Sequence, residues 1–172
     1  MIVKFILFCF GILTFETLFS QNRLDCKNTG DCKQGVYSYN GWVCEYENNK
    51  LNGISIGFDK TTSPRKIRSV GTYKNDIPTG TWIYFDDEGN VALMITDIKK
   101  NDSVQIDPKY YYFENNKPNY IAYKVDFYSS GIVKTEGFIA FDEDFNGDDC
   151  YEFGEWKYYN KEGKLIETKY KN

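Results

Sequence analysis

The string Gly80–Val91, GTWIYFDDEGNV, returns at Gly154–Leu165 as GEWKYYNKEGKL. In each copy a Gly stands two before a Trp (Gly80 and Trp82; Gly154 and Trp156), and two aromatics follow, led by Tyr84 and Tyr158. An acidic residue then precedes a turn Gly (Glu88 and Gly89; Glu162 and Gly163). Recurrence at a fixed spacing is the mark of a repeat architecture, in which each unit buries its apolar side only by stacking on the next. The flanks repeat as well: YENNKLN at 46–52 returns as FENNKPN at 113–119, and IRSVG at 67–71 returns as VKTEG at 133–137. Three signals recurring in one order imply an internal duplication, about 42–100 and 109–170.

The offsets between copies are 67, 66 and then 74 residues, so the second copy carries an insertion in the region DEDFNGDDC, Asp142–Cys150. Asp142, Asp144 and Asn146 before Gly147 match the start of a calcium loop. The match fails at the twelfth position, which needs a bidentate Glu and holds Phe153, with Glu152 one residue early. The expectation is a solvated acidic loop and no cofactor, with a non-helical calcium site on Asp142, Asp144, Asn146, Asp148 and Glu152 as the competing reading.

Phe, Tyr and Trp make up 18% of the chain, and aromatics at that density suit pleated, half-buried surfaces. Ile121, Tyr123, Val125 and Phe127 alternate with Ala122, Lys124, Asp126 and Tyr128, the period of a half-buried strand. Turn signals at Asn48-Asn49, Pro64, Asn75-Asp76, Glu88-Gly89, Asn115-Asn116, Ser130-Gly131 and Glu162-Gly163 divide the chain into short runs. The runs predict strands near 42–47, 53–58, 66–73, 80–86, 91–97, 109–114, 120–128, 132–141, 151–159 and 164–170. The fold class expected is all-β: antiparallel hairpin repeats forming one curling sheet, with little or no helix after the N-terminal segment.

Residues 1–20 have the form of an export signal: Lys4, an apolar run from Phe5 to Phe15, and the small Ser20. The run is broken by Glu16 and is shorter than the roughly 20 apolar residues of a membrane-spanning helix. The expected organisation is therefore signal 1–20, a Cys-containing segment 21–40, and one β domain over 41–172. The expected location is the periplasm, cell envelope or exterior, with no membrane span in the mature chain. Without Lys4 and Glu16 the formal charge stays at −4, and no basic stripe invites nucleic acid.

Cys26, Cys32, Cys44 and Cys150 lie outside the signal, an even number that reads as disulfides in an exported chain. Their spacings are not the paired short ones of zinc modules. Full pairing requires Cys150 to reach Cys26, Cys32 or Cys44. Ten strands in a flat meander would hold the ends roughly 40 Å apart, against about 7 Å between bridged Cα atoms. Either residues 21–40 cross the sheet or the sheet curls.

With GTWIYFDDEGNV, DFYSSGIVKTEGFI and GEWKYYNKEGKLIE in view, the chain resembles the MORN-repeat-variant (YwqK-like) family. The resemblance spans about 66–100 and 123–170, with a degenerate unit at 41–58. It implies stacked hairpins in protein contacts rather than catalysis, and for some members a neutralised partner protein, as in antitoxin or immunity pairs. The cysteines, the Asp-rich insertion and residues 101–120 depart from the pattern.

Gly80, Trp82, Tyr84, Gly89 and Gly154, Trp156, Tyr158, Gly163 are expected to be structural. The Gly before each Trp would let backbone pass close to a ring, and the later Gly would supply the positive φ of a turn. The chain has no His, which removes imidazole bases and ligands. Its serines lack a nucleophile context, and its scattered carboxylates single out no acid–base pair. A non-catalytic module binding a partner protein through its repeat sheet is expected; an envelope glycan-binding protein using exposed aromatics, with or without calcium, is the alternative.

Overall fold

The structure, a computed structural model, describes residues 33–106, 117–142 and 150–171. Among these residues ten strands run in chain order in one sheet, each antiparallel to the next. They are β1 Gly35–Tyr39, β2 Trp42–Glu47, β3 Lys50–Phe58, β4 Ile67–Lys74 and β5 Ile77–Phe85, followed by β6 Val91–Lys100, β7 Tyr120–Phe127, β8 Val133–Phe141, β9 Tyr151–Tyr159 and β10 Leu165–Lys171. β1 and β10 are the two edges of an open sheet, and no helix occurs among the described residues.

Two kinds of turn recur in the meander. Asn40-Gly41, Asn48-Asn49 and Asn75-Asp76 are two-residue loops in which both residues have positive φ, the mirror-image turn whose twist matches the strands it joins. The loops after β5 and β9 are longer and share one design. The Gly89 amide donates to the Asp86 carbonyl and the Gly163 amide to that of Asn160. The side chain heading each loop, Asp86 or Asn160, accepts two further amides through Oδ1. Gly89 and Gly163 have φ of 89° and 79°, the turn role expected of them.

Nine of the ten strands expected over 41–172 fall within a few residues of their positions, β5 starting earlier, directly after the Asn75-Asp76 turn. The expected strand at 109–114 lies outside the described residues. Gly35–Tyr39, assigned from sequence to the N-terminal segment, is instead a full strand of the sheet, paired with β2 from Gly35↔Tyr46 to Tyr39↔Trp42. The domain therefore begins before residue 41.

The faces of the sheet follow from register. On the inner face Trp82 stands opposite Ile95, Ile95 opposite Lys124, Lys124 opposite Gly137, and Gly137 opposite Trp156. Trp82, Ile95, Ala122, Ile139, Phe141 and Trp156 form the main buried cluster there, with Tyr73, Tyr84, Cys150 and Tyr158 packed against it. A smaller cluster lies on the other face, where Ile106 and Val104 pack with Ala140, Ile121, Tyr151 and Phe153. Residues 101–106 are pinned there by Asn101. Its amide donates to the carbonyls of Val104 and Pro118 at 2.7 and 2.8 Å, and its oxygen accepts the Val104 amide at 2.8 Å. β7 is thus buried from both sides, with Tyr120 and Ala122 inward and Ile121 outward.

Candidate functional site

The duplicated motif builds the core. Trp82 and Trp156 are each 1% exposed. Their rings do not lie on the glycines two residues earlier in their own strands. A Cβ on Gly71 would stand 2.1 Å from the Trp82 ring, and one on Gly137 would stand 2.4 Å from the Trp156 ring. The glycines that admit the rings are therefore those ending IRSVG and VKTEG, one strand back. Gly80 and Gly154 have another task. They have φ of 67° and 69° and sit where the ladder slips. Val70↔Ile83 gives way to Thr72↔Thr79, and Gly137↔Trp156 gives way to Phe138↔Phe153. Each is a bulge, where glycine supplies the left-handed residue at no steric cost. In the second copy the slip also presents the Phe138 carbonyl to Trp156 Nε1, 3.1 Å away.

Other expected site residues do not converge. Asp142 Oδ1 accepts the Asn119 amide at 2.9 Å, while Asp144, Asn146 and Asp148 lie outside the described residues. Glu152 is ion-paired with Lys171, so a calcium ion there would compete with an existing partner. Among the described residues no three acidic or cysteine side chains gather as metal ligands. Cys44 is a free thiol on β2, its Sγ 3.2 Å from Ser55 Oγ, so the Cys44–Cys150 pairing is not formed. The pairings with Cys26 or Cys32 lie outside the described residues.

Two surfaces remain that could meet a partner. The first is on the outer face. Val43, Ile56, Val70, Ile83, Met94 and Val125 stand opposite one another in a single row from β2 to β7. Six strands at roughly 4.8 Å make this row about 24 Å long. All six side chains are half-buried and belong to neither buried cluster. Ile54 and Phe138, exposed by 50% and 45%, widen the row. Past Val125 it turns polar, with Glu136, Lys157 and Thr168.

The second surface is a groove of about 430 Å³ on the inner face of β1–β4. The inner row carries no large ring over β3 here, only Ser55, 1% exposed, opposite both Cys44 and Gly71. Tyr37 and Tyr46 meet edge to face, centroids 5.4 Å apart, and Tyr73 closes the side toward Trp82. Trp42 rests on Gly57, where a Cβ would meet its ring at 2.9 Å. Lys33 Nζ stands 4.9 Å above the Tyr46 ring. Burial pushes the Tyr73 phenol up to about 12 and raises that of Tyr46 as well, so both stay protonated at neutral pH. No single-residue signal in the sequence marks either surface; both emerge from register.

Comparisons with family models, with curated proteins and with solved structures each return no match.

Proposed function

We propose that this chain is an exported, non-catalytic interaction module that binds a partner protein through the outer face of its sheet. The observation that carries the reading is the apolar row from Val43 to Val125, which crosses six strands on the face away from the main core. Contiguous exposed apolar surface with a polar rim is what protein interfaces use, because its burial supplies the driving force. The motif aromatics are absorbed in packing, with Trp82 and Trp156 buried, so they do not compete as a ligand platform. The lack of histidine and the resemblance to MORN-repeat variants support a binding role, and the latter adds a neutralised partner of the antitoxin or immunity kind.

The test is capture of proteins from envelope extract by the full mature chain and by Ile54→Lys and Val70→Lys variants with unchanged melting temperature. A protein retained by the parent and lost from both variants supports the outer face as the site. Retention undiminished by either lysine, or no protein retained at all, counts against it.

A further inference from the structure

We propose that the groove over β1–β4 is a binding site for a neutral oligosaccharide, a role separate from the outer face and independent of the reading above. Its lining has a definite chemical character. Tyr37, Tyr39, Tyr46 and Tyr73 bring four phenols and Ser55 a hydroxyl, and the flat ring of Trp42 stands at the rim. Among the described residues no carboxylate lines the groove, and the one cation that does, Lys33, already sits over the Tyr46 ring. The rim is unusually open for such residues, with Tyr39 81% and Trp42 42% exposed. Large rings left in water beside a concave site are the anchors that ligand sites and interfaces use.

Three ligand classes can be weighed against this lining. A polyanion needs several charge-assisted donors, and one lysine held over a ring supplies too few. An apolar peptide side chain would strip water from the phenols without returning hydrogen bonds, which is costly. A sugar ring meets both demands. Its C–H face packs on Trp42 and Tyr39, while its hydroxyls donate to and accept from the phenols, each of which can do either. The volume, about 430 Å³, lies within the range of small-ligand sites, enough for a short oligosaccharide. The site exists because β3 places Ser55 and Gly57 where β5 and β9 place tryptophans, leaving a trough in the inner face.

Isothermal titration and tryptophan fluorescence of the full mature chain would test this. The probes are neutral tetrasaccharides of glucose and of N-acetylglucosamine, a tetrameric polyuronate of the same length, and an uncharged aromatic-rich peptide. Saturable binding of a neutral sugar is expected, weakened about tenfold or more by Tyr39→Ala and by Trp42→Ala and unchanged by Val70→Lys. Tyr39 packs least, so its variant keeps the test decisive if Trp42→Ala fails to fold. The proposal is overturned if no neutral sugar binds, if the polyuronate or the peptide binds more tightly, or if a sugar binds equally well to the Tyr39 variant.

Discussion

The indole of Trp156 lies across Gly137 on the neighbouring strand, 2.4 Å from where a Cβ would stand, and Trp82 bears the same relation to Gly71 at 2.1 Å. No real Cβ is tolerated at such distances, so each pair is a ring and the absence of a side chain fitted together. Because IRSVG and GTW recur as VKTEG and GEW, the pair is duplicated along with the strands that carry it.

That relationship makes a sharp prediction. Gly71→Ala should cost about 1–3 kcal/mol or more through overpacking, and Trp82→Ala about 3–5 kcal/mol through the cavity it leaves. The two should not add: with the ring gone, the new methyl meets open space, so Gly71→Ala should be nearly neutral or favourable in the Trp82→Ala background. Denaturant midpoints of the four proteins decide it, and additive losses would contradict the ring-over-glycine account.

Alkaline pH should loosen the N-terminal half of the sheet. Burial holds the Tyr73 phenol up to about 12, against an ordinary value of 10.0. A group raised on folding contributes stability below its unfolded pKa and loses it as pH rises through the folded value. The loss attached to Tyr73 therefore falls between about pH 10 and 12, with a ceiling on the order of 2 kcal/mol. Tyr73→Phe should flatten that part of the stability profile. Burial also pushes Tyr123 up to about 12, so phenolate absorbance should show one fewer late-titrating tyrosine in the variant than in the parent; a parent whose tyrosines all ionise near 10 contradicts the burial.

The last strand is a cap. On β6 the residues opposite Tyr84 and Trp82 are Leu93 and Ile95; on β10 those opposite Tyr158 and Trp156 are Glu167 and Lys169. Lys169 Nζ stands 5.1 Å over the Tyr158 ring and Lys171 Nζ 4.9 Å over that of Trp156. Charges on an edge strand discourage a further strand from adding, as terminal repeats of stacked arrays require. Restoring the β6 pattern with Glu167→Leu and Lys169→Ile should make the protein self-associate with rising concentration in sedimentation experiments. A variant that stays monomeric across the range would show that Glu167 and Lys169 do not guard the edge.

Much of this fold is legible in the sequence because strand boundaries are set by local chemistry. Asn75-Asp76 and Glu88-Gly89 announce turns, and the repeat announces the stacking. β1 is not read that way, although Asn40-Gly41 is a strong hairpin signal, because its five residues lie within the segment assigned to the cysteines. The roles of the glycines elude sequence for a different reason. Which glycine meets a ring depends on register across two strands, and the bulges at Gly80 and Gly154 shift that register where no local pattern shows it. The period of β7 likewise predicts a strand but not its sides. Small Ala122 faces the main core, whereas Ile121 packs under Ile106 and Val125 joins the outer row.

Among the described residues, extensive contacts between strands run only between sequence neighbours, from β1 with β2 to β9 with β10. Such a chain needs no distant closure to begin ordering, since each hairpin forms within a short loop and the next zips onto its edge. Order can spread in both directions from the strands that carry the main buried cluster and unravel from either margin without dissolving the centre. A second copy appended to such a chain inherits a growing edge already prepared for it, so lengthening the protein poses no folding problem that the first copy had not met.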